Sequence, residues 1–191
     1  LLNAFRRLFS NSPNRKARRA YSRPQLLQLE GRIVPAPIPV LTSAASGPGS
    51  LDAAITLSNT TPGNDDIVFN TGVTGTITLT AALPTILAAN ATASGTGGTG
   101  TTVGTLTITG PGSSSLIISG TAGGFSIFTI VTGGNLSISG VTVSGANNIN
   151  NGGAFDNSGT LTVTNSTISG NTVSQGGGGI RNNGTLTVTN S

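Results

Sequence analysis

Beyond Arg32 the only charged side chains are Asp52, Asp65, Asp66, Asp156 and Arg181. The chain has no histidine and no cysteine. That removes imidazole acid–base chemistry, Ser-His-Asp triads, thiol redox chemistry and sulfur-ligated metals. Carboxylate and guanidinium are what is left. Asp65 and Asp66 follow Pro62-Gly-Asn64 and, as hard oxygen ligands, would suit Ca²⁺. Aspartate is also a common turn residue, so two solvated side chains are the simpler expectation. Asp156 and Arg181 each follow an apolar residue, Phe155 or Ile180, and read as a surface ion pair. Paired-carboxylate catalysis needs two acids facing one cleft, and these aspartates are dispersed. No catalytic residue, cofactor or metal is therefore expected. Asp65 and Asp66 remain the candidates for metal, Asp156 and Arg181 those for binding.

What would position these side chains is a repeat. Gly134-Asn-Leu-Ser-Ile-Ser-Gly-Val-Thr-Val-Ser-Gly145 returns as Gly159-Thr-Leu-Thr-Val-Thr-Asn-Ser-Thr-Ile-Ser-Gly170 and begins again at Gly184. The offset from Gly134 to Gly159 is the same as that from Gly159 to Gly184, without insertion. Alignment puts Leu136, Leu161 and Leu186 in one column and Ile138, Val163 and Val188 in another. Val143 falls with Ile168, Phe155 with Ile180, and Asp156 with Arg181. Polar residues separate the apolar positions, which is the alternation of strands with one buried face. So much Gly, Ser, Thr and Asn disfavours helix. A fixed period of this length implies a solenoid whose repeats stack. A parallel β-helix satisfies it, with like residues piled about 4.8 Å apart along the axis. Asn165 and Asn190, and Asn157 and Asn182, then read as corner or ladder residues. The outward Thr160, Thr162, Thr185 and Thr187 would form hydroxyl rows able to face sugars or ice.

Composition agrees with a narrow interior. Aromatic residues make up 4% of the chain, and Trp and Met are missing, so the core must come from Ile, Leu, Val and a few Phe. The net charge of +4 belongs to the segment ending at Arg32, where Arg6, Arg7, Arg15, Lys16, Arg18, Arg19 and Arg23 also cluster. A nucleic-acid interface would need basic and aromatic residues on the repeats, so none is expected. The basic segment reads as a disordered arm or an address label, although Pro35, Pro37 and Pro39 interrupt its apolar stretch. No run is long enough for a transmembrane helix. Residues 88–104, rich in Gly and Thr, read as a loop. Leu51-Asp-Ala-Ala-Ile-Thr-Leu57 reads as a short amphipathic helix covering the first repeat. Ile67-Val-Phe69 and Ile77-Thr-Leu79 would be the first strands.

Three sets of residues carry a resemblance. Leu29-Glu-Gly-Arg-Ile-Val-Pro-Ala36 resembles the Leu-Glu-x-Arg-x-x-Pro segment near the start of exported planctomycete surface proteins. Thr42 to Ile55, Pro62-Gly-Asn-Asp-Asp-Ile-Val-Phe69 and Gly75-Thr-Ile-Thr-Leu79 are similar to the entry module of CSLREA-associated bacterial β-helix proteins. Gly152-Gly-Ala-Phe155 and Gly177-Gly-Gly-Ile180 resemble the Gly-Gly-Ala-Ile element of chlamydial polymorphic outer-membrane proteins. The resemblance implies export, an extracellular or cell-surface location and a right-handed winding. Polysaccharide lyases of that fold use Arg with acidic Ca²⁺ ligands on an outer face, a pattern for which one Asp156 and one Arg181 are too few.

The expectation is thus an all-β, right-handed parallel β-helix. Residues 1–40 form the basic arm and export segment, 41–66 the N-terminal cap and 67–191 the repeats. The last repeat breaks off after its first strand, so the chain reads as the opening of a longer protein whose remainder stacks on it. Its expected role is that of a non-catalytic structural or adhesive surface module, with polysaccharide or cell-surface ligands as partners. The alternative is a polysaccharide lyase-like enzyme with its catalytic residues beyond Ser191. A Ca²⁺-loaded repeat toxin is excluded by the lack of Gly-Gly-x-Gly-x-Asp nonapeptides.

Overall fold

The computed structural model describes residues 36–61, 63–88, 104–120, 124–148 and 152–191. These residues fall within one unit, Val34–Ser191. The basic segment and the core of the Gly/Thr-rich loop lie outside the described residues.

The chain opens with β1 (Ile38–Val40), then α1 (Leu51–Ser58), β2 (Asp65–Phe69) and β3 (Gly75–Thr78). After the loop come β4 (Leu106–Thr109), β5 (Leu116–Ser119) and β6 (Phe128–Ile130). The first full copy of the repeat supplies β7 (Asn135–Ser139), β8 (Thr142–Ser144), β9 (Asn147–Asn148) and β10 (Phe155–Asn157). The next supplies β11 (Thr160–Thr164), β12 (Thr167–Ser169), β13 (Thr172–Val173) and β14 (Ile180–Asn182), and β15 (Thr185–Thr189) follows.

Every pairing between these strands is parallel. Successive repeats add one strand each to a six-stranded sheet in the order β1-β2-β4-β7-β11-β15. They also build a four-stranded sheet, β3-β5-β8-β12, a three-stranded sheet, β6-β10-β14, and the pair β9-β13. The register follows the sequence period. Leu106, Leu136, Leu161 and Leu186 face one another in turn, as do Ile108, Ile138, Val163 and Val188. The earlier strands keep register through longer excursions: Asn135 bonds Thr105 from 30 residues away, and Thr105 bonds Asn64 from 41. Insertions are therefore absorbed between strands and not within them.

The core is a set of aliphatic columns enclosed between the sheets. Leu136, Ile138, Val143, Leu161 and Val163 are fully buried. In the three-stranded sheet Phe128 and Phe155 stack with ring centroids 5.2 Å apart and planes 11° from parallel, with Ile180 next in register. Glycine begins each repeat because there is no room for a side chain. A Cβ on Gly159 would run into the carbonyl oxygens of Gly134 and Val131, and one on Gly184 into that of Gly159.

Helix α1 forms where the sequence places it. Ser50 caps it, its Oγ accepting from the Ala53 N–H at 3.2 Å, and Asp52 lies in the first turn. Leu51, Ala54 and Ile55 are buried and join the core, and the helix packs on β1 and β2. The six-stranded sheet, however, starts one strand earlier than the sequence suggests. Residues 38–40, read as the end of the arm, pair with Ile67–Phe69. Pro39 lacks an N–H donor, and β1 is an edge strand, where that loss is tolerated. Strand β2 likewise begins at Asp65, inside the segment read as cap.

Candidate functional site

The charged candidates divide into two places, and neither gathers a reactive constellation. Asp65 and Asp66 are successive residues of β2, so they point to opposite faces. Asp66 is exposed. Asp65 shares the inward parity of Ile67 and is only 5% exposed, which corrects its reading as a solvated turn residue. Its Oδ2 accepts hydrogen bonds from the Ser58 Oγ at 3.1 Å and the Thr61 Oγ1 at 3.0 Å. The end of α1 thus supplies the donors that let a carboxylate sit inside. Asp65 thus ties helix to strand, while Asp66 points to the other face of β2. Among the described residues no three potential ligands come together to hold a metal.

Asp156 and Arg181 are direct register partners on β10 and β14. The Arg181 guanidinium donates to both carboxylate oxygens at 3.4 Å, with the Arg side chain 40% and the Asp side chain 14% exposed. An ion pair this long and this exposed is worth at most about 1 kcal/mol. Arg181→Ala is expected to lower stability by less than that amount, measured by equilibrium urea unfolding. A larger loss would mean that the pair supports something beyond the surface.

The asparagines divide by location. Asn165 and Asn190 adopt φ of 49° and 53°, the left-handed corner conformation that Asn tolerates. Asn157 is instead completely buried. Its Nδ2 donates to the Asn182 Oδ1 at 2.6 Å and to the Thr185 carbonyl at 2.9 Å, while its Oδ1 accepts from the Gly159 N–H at 3.1 Å. Removing that amide strands two backbone groups. Asn157→Ala should therefore cost about 2 kcal/mol, again read from urea unfolding.

Two further bridges between repeats escape a reading of the sequence. Asn171 accepts from the Ala146 N–H at 3.0 Å and donates to the Val143 carbonyl at 3.1 Å. Ser166 accepts from the Val141 N–H at 3.5 Å and donates to the Thr164 carbonyl at 3.0 Å. The available signal was a polar residue one period after an apolar one, Asn171 after Ala146 and Ser166 after Val141.

Two uncharged surfaces complete the candidates. A groove of about 410 Å³ lies between Leu41–Ser43 and Asn70–Val73, lined by hydroxyls, an amide and the exposed Leu41. The second is the outer face of the six-stranded sheet from β4 to β15. There Thr107, Ser137, Thr162 and Thr187 form one column, and Thr109, Ser139, Thr164 and Thr189 the next. Asn135, Thr160 and Thr185 form a third, with Thr105 bonded to Asn135 at its head. None of these side chains is buried. The outward threonines of the sequence are thus brought onto one face, while Asp156 and Arg181 belong to a different sheet.

The structure defines a parallel, strand-built chain whose described residues include no helix long and apolar enough to cross a membrane. No family model, curated protein or solved structure matches it.

Proposed function

We propose that this chain is a right-handed parallel β-helix serving as a structural or adhesive surface module of an exported bacterial protein. The observation that carries the reading is the register: each residue stacks on its counterpart one repeat later, over a charge-poor surface of Thr, Ser, Asn and Gly. Such a ladder satisfies its backbone internally and displays a repetitive exterior, which suits a scaffold or an adhesive surface more than an enzyme. Right-handed winding follows the near-universal hand of parallel crossovers. Export is supported by the likeness of Leu29–Ala36 to the leading segment of exported planctomycete proteins, and by the basic residues before it.

The test is to express the full chain with an epitope tag in a planctomycete and to treat intact cells with protease. Loss of the tag from intact cells supports the surface role. A tag that becomes sensitive only after lysis overturns it. Release of unsaturated oligosaccharides from polyuronides by the purified chain in the presence of Ca²⁺ would overturn the non-catalytic reading.

A further inference from the structure

The outer face of β4, β7, β11 and β15 is a two-dimensional lattice of hydroxyls. Along each strand the outward side chains recur about every 6.6 Å, and from strand to strand about every 4.8 Å. Parallel in-register pairing holds both repeats across four strands. These columns carry neither charge nor aromatic ring. Among the described residues no hydrogen-bond partner faces the Thr162 or Thr187 hydroxyl.

A lone surface hydroxyl gains little from any soluble ligand, because water bonds it equally well. Only a ligand with a matching period can add many such contacts together. A sugar polymer would usually meet an aromatic platform or a charged group, and this face offers neither. Crystalline water has the right character: it is neutral, both donor and acceptor, and periodic. Its prism face repeats along two perpendicular directions, as the outward side chains of the sheet do. Threonine adds a γ-methyl beside each hydroxyl, holding the side chain in few rotamers and excluding disordered water.

We propose that this face adsorbs to ice. The proposal goes beyond a surface role and needs only the parallel sheet, so export and ice adsorption stand or fall separately. The face is imperfect at β7, where Ser137 and Ser139 stand in the threonine columns. That defect provides a gain-of-function test.

The full 191-residue chain is frozen slowly into a growing ice front, and its concentration in ice and liquid is measured. Inhibition of ice recrystallisation gives a second readout. The expected result is enrichment in ice. Ser137→Thr with Ser139→Thr should strengthen inhibition. Thr162→Lys, in the middle of the lattice, should weaken it by about 10-fold or more, since avidity fails when simultaneous contact is blocked. Thr76→Lys, at an exposed position of the four-stranded sheet, should leave it unchanged. Circular dichroism of each variant separates unfolding from loss of contact. Exclusion of the wild-type chain from ice overturns the proposal. So does equal behaviour of folded Thr162→Lys and wild type, or retention on insoluble cellulose or chitin without enrichment in ice.

Discussion

Gly159→Ala is expected to lose about 4 kcal/mol or more in equilibrium urea unfolding, the range reserved for gross steric conflict. The residue has no left-handed φ to defend, and its constraint is space. A methyl at Gly159 would meet the Gly134 and Val131 carbonyl oxygens and the Ile130 side chain. The Gly134 carbonyl accepts from the Thr160 N–H and the Val131 carbonyl from the Gly134 N–H, so neither can yield without breaking a backbone bond where β7 and β11 begin. Gly170→Ala is the contrasting case. Gly170 has φ of 61°, but nothing lies within 4 Å of an added Cβ, so only the backbone penalty applies, about 1–2 kcal/mol. Should the two variants prove equally stable, backbone-on-backbone packing at the start of each repeat is not what selects glycine there.

Phe155→Ala is expected to cost about 3–5 kcal/mol by the same measurement, because it removes a large buried ring and leaves a cavity. Phe155 is fully buried, stacked on Phe128 and in register with Ile180. Its neighbours above and below belong to other repeats and are fixed by their own ladders, so collapse into the void is restricted. Phe155→Leu retains much of the volume and should cost less than about 1.5 kcal/mol. Leu57→Ala offers the control: Leu57 is 51% exposed on α1, and its loss should stay within about 0.5 kcal/mol. A Phe155→Ala cost as small as that of Leu57→Ala would mean that the repeats do not share one core.

These outcomes mark which features the residues disclose and which they do not. The columns of Leu, Val and Ile were legible because like side chains at a fixed period must superpose if each repeat adds a strand to the same sheets. Helix α1 was legible from its cap and the spacing of Leu51, Ala54 and Ile55. Asp65 was not. Its polarity and its Pro-Gly-Asn context argue for solvent, and only contact with Ser58 and Thr61 makes burial possible. Strand β1 was not legible either: residues 38–40 read as the end of the basic arm, and only their pairing with Ile67–Phe69 makes them a strand. Asn157, the last residue of β10, and Asn165, in the turn after β11, are the same residue type. One is buried and bridges repeats while the other is exposed in a left-handed turn, and no composition rule separates them.

The sequence by itself determined the period, the all-β alternation, the partners within each column and the absence of histidine or cysteine chemistry, since these depend only on residue type and spacing. Tertiary structure decided which polar side chains turn inward, how long excursions rejoin the ladder, and that the threonines form one continuous neutral face apart from the Asp156–Arg181 pair. Those outcomes depend on what lies across the interior or on the next strand. That neighbour is set by how strands from different repeats pair, and nothing local to the residue encodes it.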